Sequence, residues 1–130
     1  MDFGPANFGH IGPVAGSPLP QLQYQRLVAL IVNDGLVASG PAGPVALLGV
    51  YPWPDGSARE AWLRVAPGIG RQIVPLLLTA RRALRREAGT GPPIVARIAP
   101  GNGAGARLAR MAGFVPADLV VEGADLWRLA

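Results

Sequence analysis

The run Gly68-Ile69-Gly70-Arg71 separates a strand-like segment from a helix-like one. At such a junction, backbone N–H groups and a helix N-terminus together favour an anion. The same two glycines also suit a plain strand-to-helix turn, since glycine adopts conformations closed to other residues. Arg81, Arg82, Arg85 and Arg86 fall in TARRALRREAG, where they could meet phosphates of a nucleic acid or a nucleotide cofactor, or form a solvated helix face. No aromatic platform accompanies them, which favours the solvated face. Asn102 opens the stretch NGAGARLARMAGF in the manner of a helix N-cap. Glu60 lies in REAWLRV, on one strand face with Trp62 and Arg64, and a surface pairing with Arg64 is one reading of it. Core packing or cover for a sheet edge accounts for Trp62. The chain has no cysteine and a single histidine, His10, in a Gly/Pro-rich segment. Disulfides, thiolate nucleophiles and cysteine- or histidine-based metal clusters are thereby excluded.

The bulk composition bounds the elements that must hold these residues. At 130 residues, half of them apolar and 15% charged, the chain has the make-up of one folded domain with a single core. No apolar run approaches the roughly 18–20 residues that cross a bilayer. The start, MDFGPANFGHIGPVAG, lacks a basic segment followed by an apolar one, so a soluble, unexported, cytoplasmic protein is expected. The net charge is +4 and all twelve basic side chains are arginine. Without a recognised motif beside the arginine run, nucleic-acid binding is not expected.

Residues 1–20 carry four glycines and four prolines with neither a helical nor an alternating period, which predicts a flexible arm ahead of a domain over 21–130. LVALIV at 27–32, the turn pair Asp34-Gly35 and LVAS read as a hairpin. A third strand over 45–51 and a fourth over 59–65, joined by PWPDGS, extend it to an antiparallel meander. The period then changes. Ile73, Leu76, Leu77, Ala80 and Leu84 form one helical stripe over 71–86, with arginines opposite. Pro75, which lacks an N–H, fits only the first turn, so the helix begins between residues 71 and 74. A strand over 93–99, a helix ending at Ala112 before Gly113, and two short strands turning at Glu122-Gly123 finish the chain. A strand–helix–strand passage implies one parallel pair inside an otherwise antiparallel sheet, an α+β layer fold.

Over residues 27–130 this pattern resembles the C-terminal two thirds of the GCN5-related N-acetyltransferase (GNAT) superfamily. EAWLRV ends at a V-x-P step, Val65 and Pro67; GIGR opens a helix; the next strand leads to an asparagine; the last helix ends in Gly-Phe. Asn102, Gly105, Leu108, Gly113 and Phe114 match the family's asparagine, small residue, leucine and Gly-Phe in register without a gap. The resemblance implies a GNAT-like mixed, mostly antiparallel sheet with a strand-helix-strand-helix C-terminal half, and acyl transfer from acetyl-CoA to a small-molecule or protein amine. It implies that Gly68, Ile69, Gly70 and Arg71 hold the pyrophosphate, and that the main chain of Leu63, Arg64 and Val65 pairs with the pantetheine arm. Asn102 would hydrogen-bond the same arm, Arg107 would reach a phosphate, and Glu60 would act as base, directly or through water.

The sequence departs from the family in three ways. Pro67 is followed directly by Gly68, which shortens the phosphate loop and leaves no arginine at the family's position. Ala109 stands where members often carry a tyrosine acid, a role that only Tyr51 or Tyr24 could take over. Ahead of Leu27 there is room for at most one short helix, PQLQYQRL, where members usually place two, so the acceptor pocket is expected to be incomplete or completed by a second subunit. A second reading therefore stands beside the enzyme: a non-catalytic GNAT-fold accessory or structural protein, phage- or prophage-associated and found in the virion, working through protein–protein contacts. A homodimer covering an exposed sheet face fits either reading.

Overall fold

The computed structural model describes residues 1–15 and 19–130. In chain order the elements are β1 (Asp2–Pro5), α1 (Ile11–Ala15), α2 (Gln21–Val32), β2 (Leu36–Gly40), β3 (Gly43–Pro52), β4 (Arg59–Val65), α3 (Ile73–Glu87), β5 (Ile94–Ile98), α4 (Gly103–Ala112), β6 (Phe114–Val121) and β7 (Ala124–Leu129). The strands form one mixed sheet in the order β1-β2-β3-β4-β5-β7-β6. β4 and β5 run parallel, with Arg59 beside Ile94 and Glu60 beside Val95, and α3 is the crossover between them. The pairs β1–β2, β2–β3, β5–β7 and β6–β7 are antiparallel. This is the mixed, mostly antiparallel α+β architecture that the sequence implies. Packing divides the chain into two compact units, Met1–Tyr51 with Ala61–Ile73, and Pro52–Glu60 with Val74–Ala130.

The first unit differs from expectation at its start. LVALIV is the second half of α2, not the first strand of a hairpin. A six-residue apolar run suits a buried helix as well as a strand, and here Leu27 and Leu30, three residues apart, are 0% and 1% exposed. The Tyr24 N–H donates to the Pro20 carbonyl at 3.0 Å to open the helix, and Asn33 closes it by donating its side-chain Nδ2 to the Ala29 carbonyl at 2.7 Å. The sheet position beside β2 is taken by β1, in register from Asp2 opposite Ser39 to Pro5 opposite Leu36. A flexible arm over residues 1–20 is therefore corrected for residues 2–15. Ile11, Val14 and Ala15 of α1 are buried in one cluster with Leu27, Leu30, Val37 and Leu47, and Trp62 packs against it. The spacing 11, 14, 15 is helical, but a five-residue helix is too short to announce itself as a period. Gly16, Ser17 and Pro18 of the expected arm lie outside the described residues. Two helices, α1 and α2, thus precede the meander where at most one was expected.

The second unit follows the sequence reading closely. Leu76, Leu77 and Leu84 of α3 are buried, and Pro75 sits in its first turn. Gly113 closes α4 with φ 102°, and its N–H donates to the carbonyls of Ala109 and Arg110. β6 and β7 turn at Glu122 and Gly123, both in the left-handed region. Ala58, Val95 and Leu126 form a small core with Trp53, Ala117 and Val121 packed on it. Among the described residues no helix is long and apolar enough to cross a membrane.

Candidate functional site

In the first unit, β4 runs out through Val65 into a loop whose entry is pinned by the Ala66 N–H donating to the Val45 carbonyl at 2.7 Å. Gly68 has φ 77° and Gly70 φ 57°, and a Cβ built on either meets no atom within 4 Å. The backbone therefore favours glycine at both positions, while the space beside them is open. A short 3-10 turn, Gly70–Gln72, leads into α3, and neither first turn carries an acidic side chain. Arg71 is exposed on that turn. A helix N-terminus attracts an anionic group, and neither first turn at this junction sets a carboxylate beside it. Ile69 differs from its expected part, since its N–H is turned inward to the Ala66 carbonyl at 3.3 Å. Leu63, Arg64 and Val65 are half-buried in β4. The Arg64 guanidinium donates to Gln23 Oε1 on α2 at 3.1 Å, which replaces the surface pairing with Glu60 considered from sequence.

In the second unit, Asn102 caps α4. Its Oδ1 accepts from the Gly105 N–H at 2.9 Å. A Cβ on Gly105 would lie 2.5 Å from Asn102 Nδ2, so the small residue three positions on is what lets the asparagine fold over the helix start. Arg107 is exposed, with its Nη1 only 3.5 Å from the Cβ position of Gly103, so its charge lies along the first turn. That turn, too, carries no acidic side chain. Ala109 is 9% exposed, so a methyl group in the helix's packed face stands where the resemblance placed a tyrosine.

Glu60 belongs to the same unit and is wholly buried, at 0% exposure. Its Oε1 accepts from Trp53 Nε1 at 3.0 Å and lies 2.8 Å from Arg97 Nε. Arg97 Nη1 donates to Glu122 Oε2 at 2.7 Å, and Glu122 is 77% exposed on the β6–β7 turn. Glu60 Oε2 is buried without a hydrogen-bond partner among the described residues. This arrangement overturns the reading of Glu60 as a surface residue. It also rules against direct proton abstraction, which requires the carboxylate to touch the amine, and leaves the route through water. Trp53, Arg97 and Glu122 were not singled out from sequence. The usable signal was Arg97, the one charged residue in the apolar strand PIVARIA, because an arginine there requires a counter-charge.

Solved structures share the architecture. The acetyltransferase from Agrobacterium tumefaciens str. C58 superposes with TM-score 0.67 at 19% identity, over 92% of this chain and 77% of that one. The ribosomal-protein-S18-alanine N-acetyltransferase from Escherichia coli does so with TM-score 0.63 at 14% identity, over 98% and 92%. A spermidine N-acetyltransferase chimera from Vibrio cholerae gives 0.63 at 14%, again over 98% and 92%. The chain has the GNAT fold. No protein-family profile and no curated protein matches the sequence. The GNAT likeness extends through β1, α1 and α2, wider than the 27–130 reached by sequence pattern.

Proposed function

We propose that the chain is a GNAT-type N-acyltransferase that uses acetyl-CoA to acylate an amine. The observation that carries this reading is the glycine loop: two glycines at positive φ beside open space, ahead of a helix start with no acidic side chain. Gly68, Gly70 and Arg71 would hold the pyrophosphate, with Ile69 bracing the turn. The main chain of Leu63, Arg64 and Val65, together with Asn102, would bind the pantetheine arm, and Arg107 would meet a phosphate. Acetyl-CoA, when bound, supplies an acyl thioester that becomes an amide and a free thiol.

An ammonium has no lone pair to attack with, so the protein must first take up a proton. Glu60 would do this through a water on Oε2, the oxygen without a hydrogen-bond partner among the described residues. Ala109 has no proton to donate, so the departing thiolate is protonated by solvent. The acceptor would be an amine of a small molecule or of a protein, the two kinds named for the spermidine and ribosomal-protein-S18-alanine N-acetyltransferases of this fold. Calorimetric titration with acetyl-CoA and with CoA tests the cofactor site, and thiol release with spermidine or an alanine-N-terminal peptide tests transfer. Saturable binding, weakened by Gly68→Val and Gly70→Val, is expected. Absence of binding at millimolar ligand refutes the reading.

A further inference from the structure

The Glu60 carboxylate is held from two elements at once. β4 and β5 run parallel with Glu60 beside Val95, and Arg97 lies two residues further along β5, on the same face of the strand as Val95. Its Nε reaches Glu60 Oε1 at 2.8 Å, while the Trp53 indole donates to that same oxygen from the β3–β4 turn at 3.0 Å. One carboxylate oxygen held by an indole hydrogen bond from one element and an ion pair from another cannot rotate without losing both, so the position of the other is set as well. Arg97 is steadied in turn by Glu122, whose Oε2 accepts from Nη1 at 2.7 Å.

Stability alone does not account for the arrangement. A buried ion pair costs desolvation, and well-packed apolar residues of similar volume commonly match or exceed it in stability. An apolar pair at positions 60 and 97 would suit a strand that otherwise reads PIVA and IA. What the pair adds is orientation: Oε1 is held by Trp53 and Arg97, and Oε2 has no hydrogen-bond partner among the described residues. We propose that Arg97, itself held by Glu122, is the positioning residue for Glu60, anchoring Oε1 so that Oε2 is the oxygen that receives the proton. This rests on the acyltransferase reading with Glu60 as base.

The test uses the full chain with acetyl-CoA and either spermidine or an alanine-N-terminal peptide, following kcat, the KM for acetyl-CoA and the NMR signal of the Trp53 indole N–H. Glu60→Gln is expected to lower kcat by about 100-fold or more, the scale of a lost general base. Arg97→Gln should lower kcat at least about tenfold with the KM for acetyl-CoA within about twofold, and Arg97→Lys should restore part of it. Glu122→Gln alters only an exposed side chain, so it folds even if the Arg97 variant does not. It should lower kcat by a smaller factor and displace the Trp53 indole signal. If Glu60→Gln is inactive while the folded Arg97 and Glu122 variants keep the parent kcat, the positioning role is wrong and the base survives. If Glu60→Gln keeps the parent kcat, or neither amine is acylated, the base reading falls and takes the positioning role with it.

Discussion

Substituting Gly105 with alanine isolates the geometry at the start of α4. Two effects oppose each other. Alanine in place of glycine within a helix is favourable by up to about 1 kcal/mol. Against this, the new Cβ would lie 2.5 Å from Nδ2 and 2.9 Å from Cγ of Asn102, closer than real Cβ contacts allow, so the asparagine must swing away. That breaks the 2.9 Å bond from the Gly105 N–H to Oδ1, and losing such a cap costs about 0.5–2 kcal/mol. In the parent, Gly105→Ala should therefore be neutral to destabilising by about 1 kcal/mol. With Asn102→Ala already made, the cap and the clash are both gone, and the same substitution should stabilise by up to about 1 kcal/mol. The reversal amounts to a coupling of about 1–2 kcal/mol, measured by urea unfolding of the four proteins in a double-mutant cycle. Additivity within about 0.5 kcal/mol would show that the two residues do not constrain each other. Titrating acetyl-CoA into the same four proteins separates Asn102's two roles: if it also binds the pantetheine arm, Gly105→Ala weakens binding although Gly105 is not among the residues assigned to the cofactor.

Other perturbations test other parts. At Gly68 and Gly70 an added Cβ meets no atom within 4 Å, so the stability cost expected of Gly68→Val and Gly70→Val is mainly the backbone strain of a positive φ, about 1–2 kcal/mol each. Affinity for acetyl-CoA should fall by more than that strain accounts for, as seen by comparing calorimetric Kd with Tm. Leu30→Ala empties a buried site against Gly35 and Gly49 in the first unit's core and should cost about 2–5 kcal/mol, read as a lowered urea midpoint at unchanged slope. Asp55 titrates below the ordinary 3.8 because the Ser57 hydroxyl, and then the Ser57 backbone N–H, donate to its carboxylate. With the folded value depressed, its contribution to stability is present above the unfolded value and disappears as pH falls through the folded one. Ser57→Ala should raise the NMR titration midpoint of Asp55, and an unmoved midpoint would deny the hydroxyl that role.

The parts of the fold legible in the sequence were those in which one local rule decides the outcome. α4 carries its own cap in Asn102 and its own stop in Gly113, and β6–β7 carries its turn in Glu122-Gly123; each lies where its residues indicate. α3 was readable because its stripe of Leu76, Leu77 and Leu84 spans more than two helical turns. The start of the chain failed for the opposite reason. Ile11, Val14 and Ala15 are too few to establish a period, and LVALIV satisfies strand and helix alike until the residues it packs against are known. Those partners include Ile11, Val14 and Leu47, well away in sequence, so the choice is tertiary and no local propensity could make it.

The candidate site divides along the same line. Gly68, Gly70 and Asn102 act through their own backbone or that of near neighbours, and their geometry was foreseeable: positive φ at the glycines, a cap at the asparagine. Glu60 acts through residues 7, 37 and 62 positions away, since Trp53 donates to it, Arg97 pairs with it and Glu122 steadies Arg97. Strand alternation set Glu60 on one face with Trp62 and Arg64, and that periodicity is correct for a strand. What it could not reveal is that Arg64 turns to Gln23 on α2 and Trp62 into the apolar core of its own unit, while Glu60 is enclosed among side chains of the other. On the proposed reading, the orientation a carboxylate gains in that setting is what offsets its desolvation cost. The unpartnered Oε2 is where that use must appear, and the contrast between Glu122→Gln, which loosens the arrangement from its exposed end, and Glu60→Gln, which removes the acceptor itself, is the measurement that reads it.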